Sequence, residues 1–283
     1  MVASPKLRAT ILSLIIFTVF ILFWHLAIQT GGSDRNLGAA MDPEYAALMG
    51  KSAKTGASAL PGPLEVGKEL WKHLTNPFYD NGPNDKGLGI QLAYSLARVL
   101  IGFSLAVLIA VPLGFLIGMS QMLSRALDPF IQVLKPISPL AWMPLALYTI
   151  KDSGVSSIFV IFICSVWPIL MNTSFGVASV RREWLNVART LEVGRFRTAC
   201  QVILPAAAPT IMTGMRIAIG IAWLVIVAAE MLVGGTGIGY FVWNEWNNLS
   251  ITSILVAIIS IGLIGMMLDL CLASLAKTVA YNE

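Results

Sequence analysis

RREWLNVARTLEVGRFRTACQVILPAAAPTIMTGMRIAIGIAWLVIVAAEMLV, residues 181–233, sets two kinds of chain back to back. The first half, residues 181–205, carries Arg181, Arg182, Arg189, Arg195 and Arg197 and is too charged to enter lipid. It is also too patterned to be a plain linker. Trp184, Val187, Ala188 and Leu191 recur at i, i+3, i+4 and i+7, which predicts a short amphipathic helix. Gly194 reads as its C-terminal stop, and Phe196, Ala199, Val202 and Ile203 open a second helical face before Leu204-Pro205. The second half, residues 205–233, is apolar for long enough to cross a bilayer as a helix. A folded basic knob tied directly to a membrane helix is suited to receive force from a partner. A positive loop that only fixes topology is the plainer reading, and the residues by themselves leave both open.

Outward from this stretch the chain repeats its second half. It is 57% hydrophobic and 12% charged, whereas soluble domains carry about 25% charged residues. Apolar runs at residues 9–29, 91–119, 129–150, 155–180 and 251–276 join 205–233 to give about six transmembrane helices. The expected fold class is therefore an all-α membrane protein, a single membrane domain over residues 1–283. Lys6 and Arg8 precede an apolar run with no small-x-small cleavage pattern, so residues 1–30 read as a first span and not as a signal peptide. Arg125, the knob arginines and Lys277 fall in the short loops of one side, and residues 234–250 on the other side hold no Lys or Arg. By the positive-inside rule both termini of this multi-pass membrane protein are cytoplasmic. Residues 31–89 form an outer, periplasmic segment. Within it Pro61-Gly62-Pro63 precedes Leu64, Gly67, Leu70, Trp71 and Leu74 on one helical face, an amphipathic helix near residues 63–75. Residues 90–283 are the five-helix core that carries the knob.

The same composition excludes several activities. Cys164, Cys200 and Cys271 are widely spaced, and His25 and His73 lie in different segments, so neither a disulfide framework nor a metal site is offered. The net charge of +4 is accounted for by topology and does not call for nucleic acid. The spans hold no Ser-His-Asp array, no His-Glu-x-x-His and no close carboxylate pair, so the chain is not expected to be an enzyme; no Walker A pattern occurs, so any ATP hydrolysis belongs to another chain.

Within the spans, Gly102, Ala106, Ala110, Gly114 and Gly118 make a small-residue stripe that permits close helix packing. Pro136, Pro139 and Pro144 must break or kink the third span around Trp142 and Met143, and irregular backbone at membrane depth is what transport pathways use. Candidate pathway residues are Trp142, Met143 and Pro144 at the kink, Asn172 in the fourth span, and Arg216, Glu230 and Met231 in the fifth. Intramembrane charges need partners. Arg98 and Glu230 lie at compatible depths for a structural ion pair, Asp269 near the inner end of the last span reads as a buried partner or an interface residue, and Lys135 lies near enough to the cytoplasmic surface to snorkel.

Residues 181–205 resemble the cytoplasmic signature of binding-protein-dependent ABC importer permeases: Glu-Ala-Ala, three residues, Gly, nine residues, Ile-x-Leu-Pro. Asn186, Val187 and Ala188 align with its start, Glu192 with its glycine, and Val202, Ile203, Leu204 and Pro205 with its end, so both spacings survive while the glutamate and glycine do not. Residues 206–248, 95–114 and 139–150 look like the nitrate, taurine and alkanesulfonate branch. NVARTLEV, WPILMNTSFGV and VAAEMLVGGTGIGYFVWNEWN look closest to the cyanobacterial-type nitrate permeases and their bicarbonate and cyanate relatives. The resemblance implies a type I ABC importer permease fold with a cytoplasmic coupling helix-turn-helix, whose ATPase contacts would fall on Asn186, Val187, Ala188, Arg189, Leu191, Glu192, Gly194 and Arg195. It implies a second permease subunit, a homodimer, with two ABC ATPase subunits and a periplasmic anion-binding protein. No cofactor is bound by this chain itself; ATP and Mg are used by the ATPases. The implied cargo is a small inorganic anion, nitrate first, with bicarbonate, cyanate or a sulfonate such as taurine as alternatives. A passive anion channel is the rival of another class; it would keep the arginines and kinked helices but has no use for a shaped knob.

Overall fold

Apolar segments of this length can satisfy their own backbone polar groups only as helices, and helices make up the chain. The computed structural model describes residues 5–31, 60–82 and 85–279. Among them no β-strand occurs; a single isolated antiparallel bridge joins Asp80 and Lys86. Among the described residues five helices are long and apolar enough to span a membrane, or six when a bent pair is taken as one span.

The described residues pack as two units, those within 1–76 and 245–256 and those within 77–244 and 257–283. The first contains α1 (Pro5–Gly31) and α2 (Pro63–Thr75). In α1 the stretch Ala9–Ile28 is apolar on every side and none of it is buried. Helix α2 starts as its sequence predicts: Pro63 occupies the first turn and Glu65 reaches back to accept from the Gly62 N–H at 3.2 Å. Leu64, Trp71 and Leu74 on its apolar face are exposed, while Val66 and His73 are buried. His73 is therefore an interior residue of this unit. Its imidazole is held below its ordinary pKa by burial, an effect opposed by Glu69 and Glu245.

The second unit is built on α3 (Leu88–Met119), α6 (Ser153–Ala178) and α9 (Leu204–Val233). The small-residue stripe of α3 lies against α6: Gly102 faces Ile161, Gly114 faces Leu170 and Thr173, and Gly118 faces Ser174 and Val177. On its other flank α6 packs on α9, where Gly214 faces Pro168 and Asn172, and Gly176 faces Ala207 and Thr210. Trp223 of α9 donates its indole N–H to the Ile261 carbonyl of α11 (Ile251–Val279) at 2.9 Å, which joins the last helix to the core.

The third span departs from its expected bounds. The sequence marks residues 129–150; the structure has α4 (Gln121–Leu134), a 3₁₀ turn (Pro139–Trp142) and α5 (Met143–Ile150), with an 84° bend between the two halves. Pro129 lies inside α4 and does not break it. The helix begins at Gln121 because the Ser120 hydroxyl caps it, accepting from the Leu123 N–H at 3.3 Å. The break falls at residues 135–138, which contain Pro136 and are followed directly by Pro139. Helix α5 ends at Lys151 in the left-handed conformation, φ 58, and Asp152 caps α6 by accepting from the Val155 N–H at 2.7 Å.

Candidate functional site

Three places hold the side chains that the sequence singles out. The first is the basic knob. Helix α7 (Arg182–Thr190) buries Ala188 and packs Leu185 on a cluster of Val177, Ile203, Ala207 and Ile211, so the knob is a folded extension of α6 and α9. Trp184, Val187 and Leu191 stay exposed, and the Arg181 guanidinium lies 5.7 Å from the centre of the Trp184 ring. Asn186 is also exposed.

The stop of α7 is not where the sequence puts it. Glu192 adopts φ 49, its N–H donates to the Arg189 carbonyl, and the Val193 N–H donates to the Ala188 carbonyl, both at 3.0 Å. This is a Schellman termination with glutamate in the left-handed position that normally takes glycine. The glycine of the signature that this stretch resembles aligns with this same position. Gly194 has φ −59 and precedes α8 (Arg195–Thr198) as an ordinary extended residue, with its carbonyl accepting from Thr198. A left-handed L-residue costs about 1–2 kcal/mol. Glu192→Gly is therefore expected to stabilise the knob by about 1 kcal/mol and to slow tryptic cleavage at its arginines about fivefold. Cleavage at the wild-type rate would remove the strain argument.

From α8 the chain enters α9 through a π-helical turn (Ala199–Ile203), with the Leu204 N–H donating to the Ala199 carbonyl five residues back. Pro205 has no N–H to offer, and the widened turn accommodates it. Phe196 on α8 is exposed. Arg182, Arg189 and Arg195 line a groove of about 590 Å³ together with Met119 at the end of α3.

The second place is a cavity of about 410 Å³ between the broken segment, α6 and α9. Lys135 is the one charged residue in its lining, and Trp167, Asn172, Met171 and Ile217 contribute to its walls. Pro168, also in the wall, cannot donate to the carbonyl of Cys164 four residues back, and its own carbonyl accepts from Asn172 Nδ2 at 2.8 Å. Of the sequence's pathway candidates only Asn172 lines this cavity. Met143 is buried against Val160 and Ala229, with Trp142 packed on the same cluster; Pro144 is exposed and Met231 half-buried. Arg216 makes a bidentate ion pair with Asp269 of α11, 3.0 and 2.8 Å, with both side chains close to half exposed. The position of Asp269 one helix away from Arg216 is not recoverable from their separation in sequence.

The third place is a cage around Glu230. Its carboxylate is 1% exposed and lies 2.7 Å from Arg98 Nη1. The Ser95 hydroxyl lies 2.7 and 2.9 Å from its two oxygens, and the Gly239 N–H donates to it at 3.1 Å. The sequence pairs Arg98 with Glu230 and goes no further. The structure adds the loop that follows α9: Thr236 accepts from Arg98 at 2.6 Å, the Gly237 N–H donates to Gln91 Oε1 at 2.6 Å, and the Ile238 N–H donates to Ser95 Oγ at 2.9 Å. Gly237 and Gly239 admit no side chain, because a Cβ would overlap the Glu230 carboxylate at the first and the Val227 carbonyl at the second. Gln91, Ser95 and Arg98 stand at i, i+4 and i+7 on α3, a polar row on one face of an otherwise apolar helix. That row facing a Gly-Gly-Thr-Gly-Ile-Gly loop was the available signal. Loop residues 234–237 lead into α10 (Ile238–Asn247), a short helix inside what reads in the sequence as an outer loop.

Comparison with known proteins places the whole chain in a family. Residues 110–281 match the family model described as "Binding-protein-dependent transport system inner membrane component". The chain is 47% identical over 226 residues to the nitrate import permease protein NrtB of Synechocystis sp., covering 80% of this chain and 82% of that one. It is 43% identical over 233 residues to the bicarbonate transport system permease protein CmpB of Synechococcus elongatus, covering 81% and 84%. Its fold is similar to that of an inward-facing structure of the MetNI methionine ABC transporter, with a TM-score of 0.62 at 12% identity over 69% of this chain and 96% of that one.

Proposed function

The chain belongs to the inner membrane components of binding-protein-dependent transport systems, and on that premise we propose that it is the permease subunit of an ATP-driven importer for a small inorganic anion, nitrate. The observation that carries the driven character is the joint between knob and pore helix. A shaped, partly apolar cytoplasmic knob continues through α8 and the π-helical turn into α9, which lines the cavity beside Lys135. A passive channel has no use for such a part. Nitrate is favoured by the likeness to a nitrate import permease at 47% identity, against 43% for a bicarbonate permease. The cavity suits such a cargo: a lone lysine supplies the charge for a monoanion, and the Asn172 amide and apolar walls ask little dehydration of a weakly hydrated one.

Under this reading the chain is not itself an enzyme. Two ATPase subunits bind ATP and Mg and grip the knob through Trp184, Val187, Leu191, Phe196 and the arginines around Asn186. A second copy of the permease completes the pore, and an external binding protein delivers the anion. Both termini face the cytoplasm, and the 31–89 segment lies outside, in a membrane that is the cell's inner one. The test is uptake of labelled nitrate into proteoliposomes holding permease, ATPases and binding protein, with bicarbonate, cyanate and a sulfonate as competitors. ATP-dependent uptake blocked by nitrate alone is the expected result. Preference for a sulfonate would overturn the cargo and leave the permease, and uptake without ATP would favour the channel.

A further inference from the structure

We propose that Glu230 is a positioning residue of the transport cycle: its cage latches the outer ends of α3 and α9 and the loop of residues 234–239 into one body, so that movement of the knob reaches the outer face. The proposal rests on the reading of the chain as a driven permease. Its starting point is the continuity of α9, which runs from Leu204 at the knob to Val233 without a break, about 45 Å of helix at 1.5 Å per residue. A rod of that length transmits displacement only if its far end is held by something that must move with it.

The cage supplies that hold. Each of Thr236, Gly237 and Ile238 is bonded to a different side chain of α3, and Gly239 is bonded to Glu230 itself. Ser95 is the hub, because its one hydroxyl meets the carboxylate of α9 and the backbone N–H of Ile238 together. The two glycines whose missing side chains leave room for this approach, Gly237 and Gly239, lie in the same short stretch.

Stability alone does not explain such an arrangement. A buried ion pair is costly to desolvate, and well-packed apolar residues of similar volume usually hold helices together as well or better. What the polar cage adds is direction and register. The carboxylate accepts at fixed angles from two helices and a loop, and it leaves those groups unsatisfied if any one of them moves alone. The contrast with Arg216 and Asp269 is instructive, since that pair ties one helix to one other, α9 to α11, and is close to half exposed in the isolated subunit.

The test is the number of anions taken up per ATP hydrolysed, measured in the reconstituted complex with the external binding protein. A residue that only stabilises the fold lowers the amount of working complex and leaves this ratio unchanged. Glu230→Ala is expected to lower the ratio about tenfold while ATP hydrolysis per assembled complex persists. Ser95→Ala keeps the ion pair, so it serves where Glu230→Ala fails to assemble, and it is expected to lower the ratio about threefold. Ser157→Ala removes another buried hydroxyl, one bonded only to the Ser153 carbonyl of its own helix, and should leave the ratio at the wild-type value. A normal ratio in Ser95→Ala, or an equal fall in Ser157→Ala, overturns the latch while leaving the permease reading intact. Absence of ATP-driven uptake in the wild type overturns both.

Discussion

Gly114→Leu is expected to abolish accumulation of the folded chain in the membrane. Helix association within a bilayer gains little from the hydrophobic effect, because lipid tails are as apolar as leucine, and depends on close backbone approach. At Gly114 the approach is complete: a Cβ would stand 2.7 Å from the Leu170 carbonyl oxygen and 2.8 Å from Thr173 Cβ. The obstruction includes backbone of α6, which cannot rotate away as a side-chain tip can. Relieving it means separating α3 from α6 along the stripe that Gly102 and Gly118 continue, where a Cβ would come within 2.7 and 2.6 Å of Ile161 Cγ2 and the Ser174 carbonyl oxygen. Overpacking by even one methyl costs about 1–3 kcal/mol, and leucine adds four carbons at a point with no room for the first. Gly114→Ala should be intermediate. Gly262→Leu provides the contrast, because nothing lies within 4 Å of a Cβ there, and it should accumulate normally. Quantitative blotting of membranes, followed by size-exclusion of the solubilised chain, separates the outcomes. Equal amounts of Gly114→Leu and Gly262→Leu would mean that α3 and α6 do not pack as described.

The stripe was legible in the sequence because its signal is local: small residues four apart on one helix define a face without reference to anything else. The same holds for the knob, whose apolar residues repeat at helical spacing, and for the proline break of the third span. What the sequence could not supply was partnership across distance. Ser95 and Gln91 look like incidental polar residues until the 234–239 loop is brought against them from more than a hundred residues away. Asp269 likewise meets Arg216 across 53 residues, and only the packing of α11 on α9 decides that. Met143 was misplaced for a related reason: prolines announce a broken helix, but which side of the break faces the core depends on α6 and α9. Glu192 illustrates a subtler limit. Its backbone geometry is dictated by the end of α7, and a rule that looks for glycine at such ends passes over a glutamate forced into the same role.

Val187→Asp combined with Phe196→Asp should remove ATP-driven uptake while leaving the chain folded and in the membrane. Phe196 is 83% exposed and Val187 59%, on a segment that carries five arginines and has its own inward face filled by Leu185 and Ala188. Neither side chain supports the fold, so their loss costs the isolated subunit little. Both are apolar groups left in water beside cationic ones, an arrangement that becomes favourable when a partner covers it. Full burial of a side chain of this size contributes about 1.5–3 kcal/mol, and an aspartate in its place must also be desolvated. The pair together should weaken association with the ATPases by at least about a thousandfold, roughly 4 kcal/mol. The expected signature is normal membrane level, no co-purification of the ATPases and uptake at background. Gly194→Pro is the informative companion: with φ −59 at that residue and open space around it, the knob should tolerate proline and uptake should persist. Were the double aspartate variant to retain both uptake and co-purification, the force-receiving surface would have to lie elsewhere, and the groove lined by Arg182, Arg189 and Arg195 would be the next face of the knob to carry it.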